Sequence, residues 1–385
     1  MRVLIVVNGL GTGGTERSLA EMLPGYAQRG VNAIVACFYR RDEGVQDGVI
    51  AAGHDVRFIE EKSVPTRARA LRRLVEEERV DLIHTQLFDA NMAGRLAGVG
   101  LEAPVLTSLV SMSYEPIRST DPNISRHKLR VVRAVDGWTS RHLTNHFHAV
   151  SHAVKDAAVR ALGIDPSRVT VVERGRDARR LGEPSFERRT TVREALGIDP
   201  DAPVLITAGR QEYVKGHVYL LEAMAELRTR VPGVLLLLAG RRGNASEELD
   251  TVYERLGLGD TVRLLGHRDD VPDLLAASDI FVLPSLIEGI AGAVIEAMAL
   301  GLPVVASDIP STREVLDPGG NALLVTPQQP TDLADAVATL LGDHPMMERF
   351  AEASRHRFEE RFTLDRIVDR MVAMYGNVIE GNLSS

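Results

Sequence analysis

The chain has a single cysteine, no long apolar run and no excess of positive charge, and each shortage removes a class of protein. With Cys37 alone among 385 residues, neither an internal disulfide framework nor a cysteine-based zinc site can be built. Met1-Arg2 leads straight into a short apolar strand, too short for a secretory signal or a membrane span. A cytoplasmic protein is therefore expected. A formal net charge of −8 argues against a nucleic-acid binder that works through bulk charge. What is present is ordinary globular material, 44% hydrophobic and 25% charged, in a length that suits two domains.

Short apolar runs alternate with helical patterns in both halves of the chain. Residues 3–7 lead into Asn8-Gly9-Leu10-Gly11-Thr12-Gly13-Gly14-Thr15-Glu16 and a helix with Leu19, Leu23, Tyr26 and Ala27 on one face. Residues 33–39, 56–59, 82–84 and 105–110 continue the series, with a basic helix over 67–79 and another helix from Asn91. A second series runs through 204–208, 234–238, 262–265 and 280–283. Strands alternating with helices predict α/β domains built on parallel, doubly wound sheets. The repeated Ala-Leu-Gly-Ile-Asp-Pro at 161–166 and 195–200 reads as two helix ends with the same Gly stop, not as a solenoid. Asp199-Pro200-Asp201 has the form of a metal-binding Asp-x-Asp but sits in a turn before a strand.

Residues 281–301, FVLPSLIEGIAGAVIEAMALG, hold the densest chemistry. A strand ends at Pro284-Ser285, a loop carries Glu288-Gly289, and a helix starts near Ala291-Gly292. On one continuous helix Glu288 and Glu296 would stand about 80° apart and roughly 12 Å along the axis. They fit one site better with Glu288 on the loop and Glu296 on the helix. The first-turn amides of Ala291, Gly292 and Ala293 would then carry the positive end of the helix dipole, an anion site. An anion flanked by two carboxylates suits a nucleotide-sugar, phosphates on amides and hydroxyls on carboxylates.

The E-x7-E spacing after PS-x-x-EG, followed by EAMA-x-G-x-PVVA, resembles the retaining glycosyltransferases of GT-B family 4. That resemblance implies two Rossmann-like domains facing each other across a cleft. The first, residues 1–178, would take the acceptor and be completed by a C-terminal helix at 364–385. The second, residues 179–363, would hold the donor. Residues 178–200, charged and containing Pro and Gly, read as the linker. The resemblance gives Glu288 the donor sugar and Glu296 the ribose. Gly209-Arg210 with Lys215-Gly216 is similar to the family's GR…KG signature, whose cations hold the donor diphosphate. Fixed cations can stabilise the departing diphosphate without metal, so no required metal or cofactor is expected. His267 and Arg268 follow the strand whose loop meets the nucleobase in the family. Gly240 and Gly289 complete the donor-binding set. Gly13, Gly14 and Glu16 resemble the GG-x-E loop near the donor phosphates and the acceptor. Glu288 reads as a positioning residue, not a nucleophile, and UDP is the expected nucleotide.

The acceptor side is less determined. His84 stands at a strand's C-terminal end, where open sheets place ligands, and equally fits a buried histidine with satisfied hydrogen bonds. The family's histidine after the next strand is missing from Thr107-Ser108-Leu109-Val110-Ser111-Met112-Ser113. The basic stretch 114–140 reads either as an acceptor-contacting insert or as a helical hairpin on the sheet edge. Arg67, Arg69, Arg72 and Arg73 suggest peripheral membrane contact, against which Glu76, Glu77 and Glu78 favour a mixed solvated face. His148 and His152 are four apart, but His148 lies in a strand, so zinc is not expected. Arg174 replaces the Asn usual at the domain junction.

Three rivals stay open. Gly9, Gly11 and Gly14 satisfy G-x-G-x-x-G, and Arg40-Arg41 after the second strand could read an NADP 2′-phosphate, giving an oxidoreductase. A GT-B relative acting as a nucleotide-sugar epimerase or pseudo-glycosyltransferase keeps the Arg/Lys pair, and a non-catalytic binding protein keeps the fold.

Overall fold

The computed structural model describes residues 1–121 and 124–382. It divides into two compact units. Unit 1 takes residues 1–119, 124–176 and 364–385, and unit 2 takes residues 120–123 and 177–363.

Unit 1 runs β1 (Arg2–Val7), α1 (Gly14–Gln28), β2 (Asn32–Cys37), α2 (Gln46–Ala51), β3 (Asp55–Phe58), α3 (Val64–Glu78), β4 (Leu82–Gln86), α4 (Phe88–Ala97), β5 (Val105–Leu109), α5 (Arg126–Leu143), β6 (His146–Ala149), α6 (His152–Leu162) and β7 (Val169–Val171). Its strands form one parallel sheet in the order β3-β2-β1-β4-β5-β6-β7. Because both faces are covered, β1 reads as an unbroken apolar run from Val3 to Val7, and period-2 geometry sorts its side chains between two cores. Val3, Ile5 and Val7 pack with Leu19, Leu23 and Tyr26 of α1. Leu4 and Val6 face Leu71 and Val75 of α3 and Ala93 of α4. Ala27, expected on the buried stripe of α1, is exposed. Cys37 is buried, which pushes its thiol up to about 12 and leaves it a small hydrophobe.

Unit 2 continues with α7 (Ala178–Leu181), α8 (Phe186–Ala195), β8 (Val204–Ala208), α9 (His217–Arg230), β9 (Leu235–Ala239), α10 (Ser246–Leu256), β10 (Val262–Gly266), α11 (Val271–Ala276), β11 (Ile280–Leu283), α12 (Gly292–Ala299), β12 (Val304–Ser307), α13 (Pro310–Val315), β13 (Ala322–Val325), α14 (Pro330–Gly342) and α15 (His344–Arg361). Its parallel sheet has the order β10-β9-β8-β11-β12-β13.

The final helix, α16 (Leu364–Glu380), belongs to unit 1. Its stripe of Ile367, Val368, Met371, Met374 and Tyr375 is buried in the core that α1 shares. Gly25 of α1 leaves room for Val368, whose methyl would stand 3.0 Å from an added Cβ. Arg29 pairs with Asp369 at 2.5 Å. The chain leaves unit 1 at Arg176 and re-enters at Leu364, whose amide donates to the Arg176 carbonyl at 2.9 Å. The last three residues of the expected terminal helix, 383–385, lie outside the described residues.

The basic stretch expected as an insert or hairpin is a short 3-10 turn (Pro116–Thr120) followed by the single 18-residue α5, N-capped by Ser125. Residues 122 and 123 of that stretch lie outside the described residues. In both sheets the strand order reverses beside the first strand, between β1 and β4 and between β8 and β11. Open α/β sheets bind ligands at such a switch point, beyond the strand ends.

Candidate functional site

At the switch point of unit 2 the loops after β8 and β11 lie side by side, because the two strands pair in parallel at Ile280 with Leu205 and Phe281 with Ile206. The Leu286 amide donates to the Val214 carbonyl at 2.8 Å and ties the loops together. A one-turn 3-10 helix, Tyr213–Lys215, ends at Gly216, which has φ +64° and caps α9. Only glycine fits there, since a Cβ would stand 2.1 Å from the Pro284 carbonyl oxygen as well as demand the left-handed conformation.

The tight turn sends Lys215 back across Gly209 to the second loop. Its Nζ donates to Glu288 Oε1 at 2.5 Å, and Ser285 Oγ donates to the same oxygen at 2.8 Å. The Glu288 side chain is only 9% exposed and that of Lys215 is 25% exposed. Glu288 Oε2 makes no hydrogen bond among the described residues, so one carboxylate oxygen is anchored and the other is available to a hydroxyl. Glu288 lies on the loop and Glu296 on α12, as expected. Ala291 is the N-cap of α12 and offers no side-chain cap; the Val294 amide donates to its carbonyl at 3.1 Å, leaving the Gly292 and Ala293 amides to an external acceptor.

Glu296 is buried, and its Oε1 lies 3.6 Å from a guanidinium nitrogen of Arg180 on α7. Arg180 was not singled out from the sequence. Its only signal was the Arg179-Arg180 pair in a stretch read as linker. His217 was also missed. It opens α9 immediately after Lys215-Gly216, is buried, and leaves its Nδ1 without a partner. Burial, with Lys215 adding to it, lowers its pKa to about 3, so the ring stays neutral beside the lysine.

Several expected site residues stand elsewhere or act differently. Arg210 is not gathered onto the Lys215/Glu288 pair. Its side chain is 56% exposed, and its guanidinium pairs with Glu212 at 3.0 Å. Gly240 serves backbone packing: its amide donates to the Gly266 carbonyl at 2.7 Å, and a Cβ would stand 1.7 Å from the Gly209 carbonyl oxygen. His267 and Arg268 do follow β10. Their side chains are engaged by Asp269 at 3.5 Å and bidentately by Asp270, which leaves backbone atoms of that loop for a ligand. The Arg268 guanidinium holds the Asp270 carboxyl below its ordinary range. The Asp199/Asp201 pattern is a turn, in which Asp199 Oδ1 accepts from the Asp201 amide at 2.9 Å.

In unit 1, Gly13 is the N-cap of α1, and Glu16 folds back over it, with a carboxylate oxygen 2.3 Å from where a Cβ would be. Arg174 covers the same turn. A nitrogen of its guanidinium would stand 2.9 Å from a Cβ on Gly14, and another donates to Thr15 Oγ1 at 3.1 Å. Of the two readings open for His84, its surroundings fit that of a buried histidine with satisfied hydrogen bonds, because it is fully buried. Its Nδ1 meets the Tyr375 hydroxyl at 2.8 Å and its Nε2 meets Ser108 Oγ at 2.7 Å. Ser108 continues to His148 Nδ1 at 2.8 Å, and His148 Nε2 reaches the Val172 carbonyl at 2.8 Å. A carbonyl only accepts, so neutral His148 carries its proton on Nε2, Ser108 donates to Nδ1, and His84 is protonated on Nε2. Burial lowers His84 to about 3 and His148 to about 4. Both His148 nitrogens are thus occupied by protein partners.

Nearer the surface, the ends of β4 and β5 open on a cavity of about 330 Å³. Asn91, Ser108, Ser111, Tyr114 and Asp136 are among its polar lining residues. Asp136 is held there by Arg95 at 2.7 Å and by the Tyr114 hydroxyl at 2.7 Å.

The Gly-rich loop does not keep the dinucleotide geometry open. Gly9 packs under the Tyr39 carbonyl, where a Cβ would stand 2.7 Å away, and the Gly11 backbone is in contact with Gly44. Arg40 lies over the Phe58 ring at 3.9 Å. Gly9 and Gly11 are therefore used for close approach of protein backbone, and Arg40 is turned onto Phe58 while Arg41 lies over Gly9.

Comparison with known proteins agrees with the geometry of unit 2. Residues 188–357 match the family described as Glycosyl transferases group 1, and residues 12–180 match Glycosyltransferase Family 4. An alpha-D-kanosaminyltransferase of Streptomyces kanamyceticus is 30% identical over 193 residues, 50% of either chain. A D-inositol 3-phosphate glycosyltransferase of Catenulispora acidiphila is 32% identical over 286 residues, 71% of this chain and 65% of that one. The chain thus spans between half and 65% of the length of these two relatives. The crystal structure of Anabaena HepE in complex with UDP and glucose superposes with a TM-score of 0.86 at 24% identity, covering 98% of this chain and 100% of that one. With both halves matched in sequence and nearly the whole chain matched in fold, the chain belongs to the GT-B glycosyltransferases of family 4, glycosyl transferases group 1.

Proposed function

We propose that this protein transfers a glycosyl group from a UDP-sugar to an acceptor hydroxyl, with retention at the anomeric carbon and without a required metal. The observation that carries the reading is the Lys215/Glu288 pair at the switch point of unit 2, beside the uncapped N-terminus of α12. The matched relatives are a kanosaminyltransferase and a D-inositol 3-phosphate glycosyltransferase, and the superposed Anabaena structure is a complex with UDP and glucose.

In this reading the diphosphate sits against Lys215 and the first-turn amides of α12. Glu288 Oε2 accepts a sugar hydroxyl, Glu296 takes the ribose, and the loop at Gly266, His267 and Arg268 takes the base through its backbone. The bond from the anomeric carbon to the phosphate oxygen breaks, and a bond to the acceptor oxygen forms. The acceptor proton passes to the departing phosphate, so no protein base is required. The charge developing on the diphosphate is met by groups already in place, which is the form of catalysis that fixed cations and amides supply best. Arg210, paired with Glu212 at the rim, meets the donor only after releasing that partner. Glu16, beside Gly13 and Gly14 of unit 1, stays an acceptor-side candidate, whereas buried His84 is given no role.

A panel of UDP, GDP, ADP, their common sugars and NADPH tests the donor in a thermal melt. A ligand at about 100 times its dissociation constant adds about 2.7 kcal/mol of stability. Stabilisation by UDP and one UDP-sugar is expected, and stabilisation by NADPH alone would overturn the reading. Once an acceptor is found, the anomeric configuration of the product by NMR checks retention. Turnover unchanged in excess EDTA checks independence from metal.

A further inference from the structure

Helix α5 carries an exposed apolar stripe framed by cations. Val131, Ala134, Val135 and Trp138 recur at i, i+3, i+4 and i+7 and so share one side of the helix. All four are exposed, Trp138 at 53%, Val131 at 52% and Val135 at 48%. The opposite side is buried through Asp136, Gly137 and Ser140, and Asp136 is fixed to Arg95 beneath it. That buried ion pair sets the helix rotation and holds the stripe outward. The Trp138 ring stacks on His142 with centroids 5.0 Å apart, which keeps the indole on the surface.

The charge on this helix runs against the rest of the chain. Asp136, the sole acidic residue in the α5 sequence, points inward, while Arg126, Lys128, Arg130 and Arg133 are exposed, and Arg141, also exposed, donates to the Leu162 carbonyl at 2.5 Å. On ideal geometry Lys128 borders the stripe about 60° to one side of Val131, and Arg141 and Arg130 border it about 80–100° to the other. This basic, apolar face belongs to a protein of net charge −8. By contrast α3, whose arginines suggested membrane contact in the sequence, exposes Arg69 and Arg73 but engages the other two. Arg67 is buried and lies over the Phe38 ring at 4.4 Å, and Arg72 bonds to Glu76 and to the Val99 carbonyl.

We infer that α5 docks on an anionic lipid bilayer. An indole and two valines with a cationic border match the boundary between headgroups and acyl chains, where aromatic amphipathic side chains settle and Lys and Arg meet lipid phosphates. A second copy of this chain is the poorer occupant, since a two-fold contact through the stripe would set the same cations against one another.

Trp138 is the only tryptophan in the sequence, so the intrinsic emission of the unmodified protein reports this face alone. With vesicles of phosphatidylcholine and phosphatidylglycerol the emission shifts to the blue, and the protein sediments with the lipid. Both effects are lost with phosphatidylcholine alone and at about 0.5 M salt, where charges are screened within about 4 Å. Lys128→Gln and Arg130→Gln each weaken sedimentation about fivefold, and Trp138→Ala weakens it about tenfold. All three sites are exposed, and circular dichroism confirms that each variant is folded. Unshifted emission with anionic vesicles overturns the inference. Equal binding to both lipid compositions overturns it too, and so does a lipid-free, concentration-dependent shift accompanied by dimer formation. None of these readouts needs turnover, so they stand apart from the proposed glycosyl transfer.

Discussion

Replacing Lys215 by Met removes the cation from the centre of the proposed donor site while keeping most of its volume. The structure sets two separate magnitudes. For stability, the change leaves Glu288, 9% exposed, with Ser285 as its one hydrogen-bond donor among the described residues. Losing a charge-assisted partner in a half-buried setting costs about 1.5–3 kcal/mol. For turnover, the developing diphosphate charge loses a contact of similar worth, so kcat/KM falls at least about tenfold. The double variant Lys215→Met/Glu288→Gln separates the two effects. It leaves no unpaired buried charge, so the melting temperature recovers toward that of the unchanged protein. The catalytic cation is still missing, so kcat/KM stays low. The assay is UDP release from the donor identified by the melt, measured beside thermal unfolding of all four proteins in the cycle. Activity of the double variant returning along with its stability would refute the reasoning, because the pair would then be a structural ion pair only. Single variants within about twofold of full kcat/KM would refute it as well.

Further outcomes follow from the same coordinates. Glu296→Gln raises the donor KM about tenfold with little change in kcat, since a ribose contact is made equally in ground and transition states; an unchanged KM would remove Glu296 from the donor site. Gly240→Ala forces a Cβ to 1.7 Å from the Gly209 carbonyl oxygen and should cost about 3 kcal/mol in the unfolding of unit 2; an unaltered denaturation midpoint would contradict the strand-end packing. His84 and His148 are held near 3 and 4 in the folded protein against about 6.5 when unfolded. The unfolded chain therefore binds more protons below about pH 6.5. Stability is flat above that pH and falls below it by about 1.4 kcal/mol per histidine per pH unit. With His146 of the same unit also held near 4 by burial, urea unfolding of unit 1 at pH 7.5 and 5.5 should differ by about 4 kcal/mol, and equal or greater stability at pH 5.5 would show that these rings are not buried neutral.

Periodicity and local spacing alone determined much of this protein. Alternating strands and helices announced two parallel sheets, because a strand covered on both faces must be apolar throughout, and residues 3–7 and 280–283 are. The break between Glu288 and Glu296 was legible too, since one helix would have held them too far apart to share a ligand. What the sequence could not supply was the partner of each charged group. Lys215 meets Glu288 because β8 and β11 are neighbours at a reversal of strand order, a fact of sheet topology with no trace in residue spacing. Arg210 stands two residues past the same strand and turns outward to Glu212 instead. Arg180 reaches Glu296 only after the chain folds α7 beside α12, so a linker arginine looked idle. His84 has the position of a ligand-facing histidine in sequence, and only the packing of α16, which brings Tyr375 onto its ring, shows it to be core. Local geometry repeats every few residues and can be read from the chain, whereas ion pairs and burial depend on which distant segments meet, and that only the tertiary structure decides.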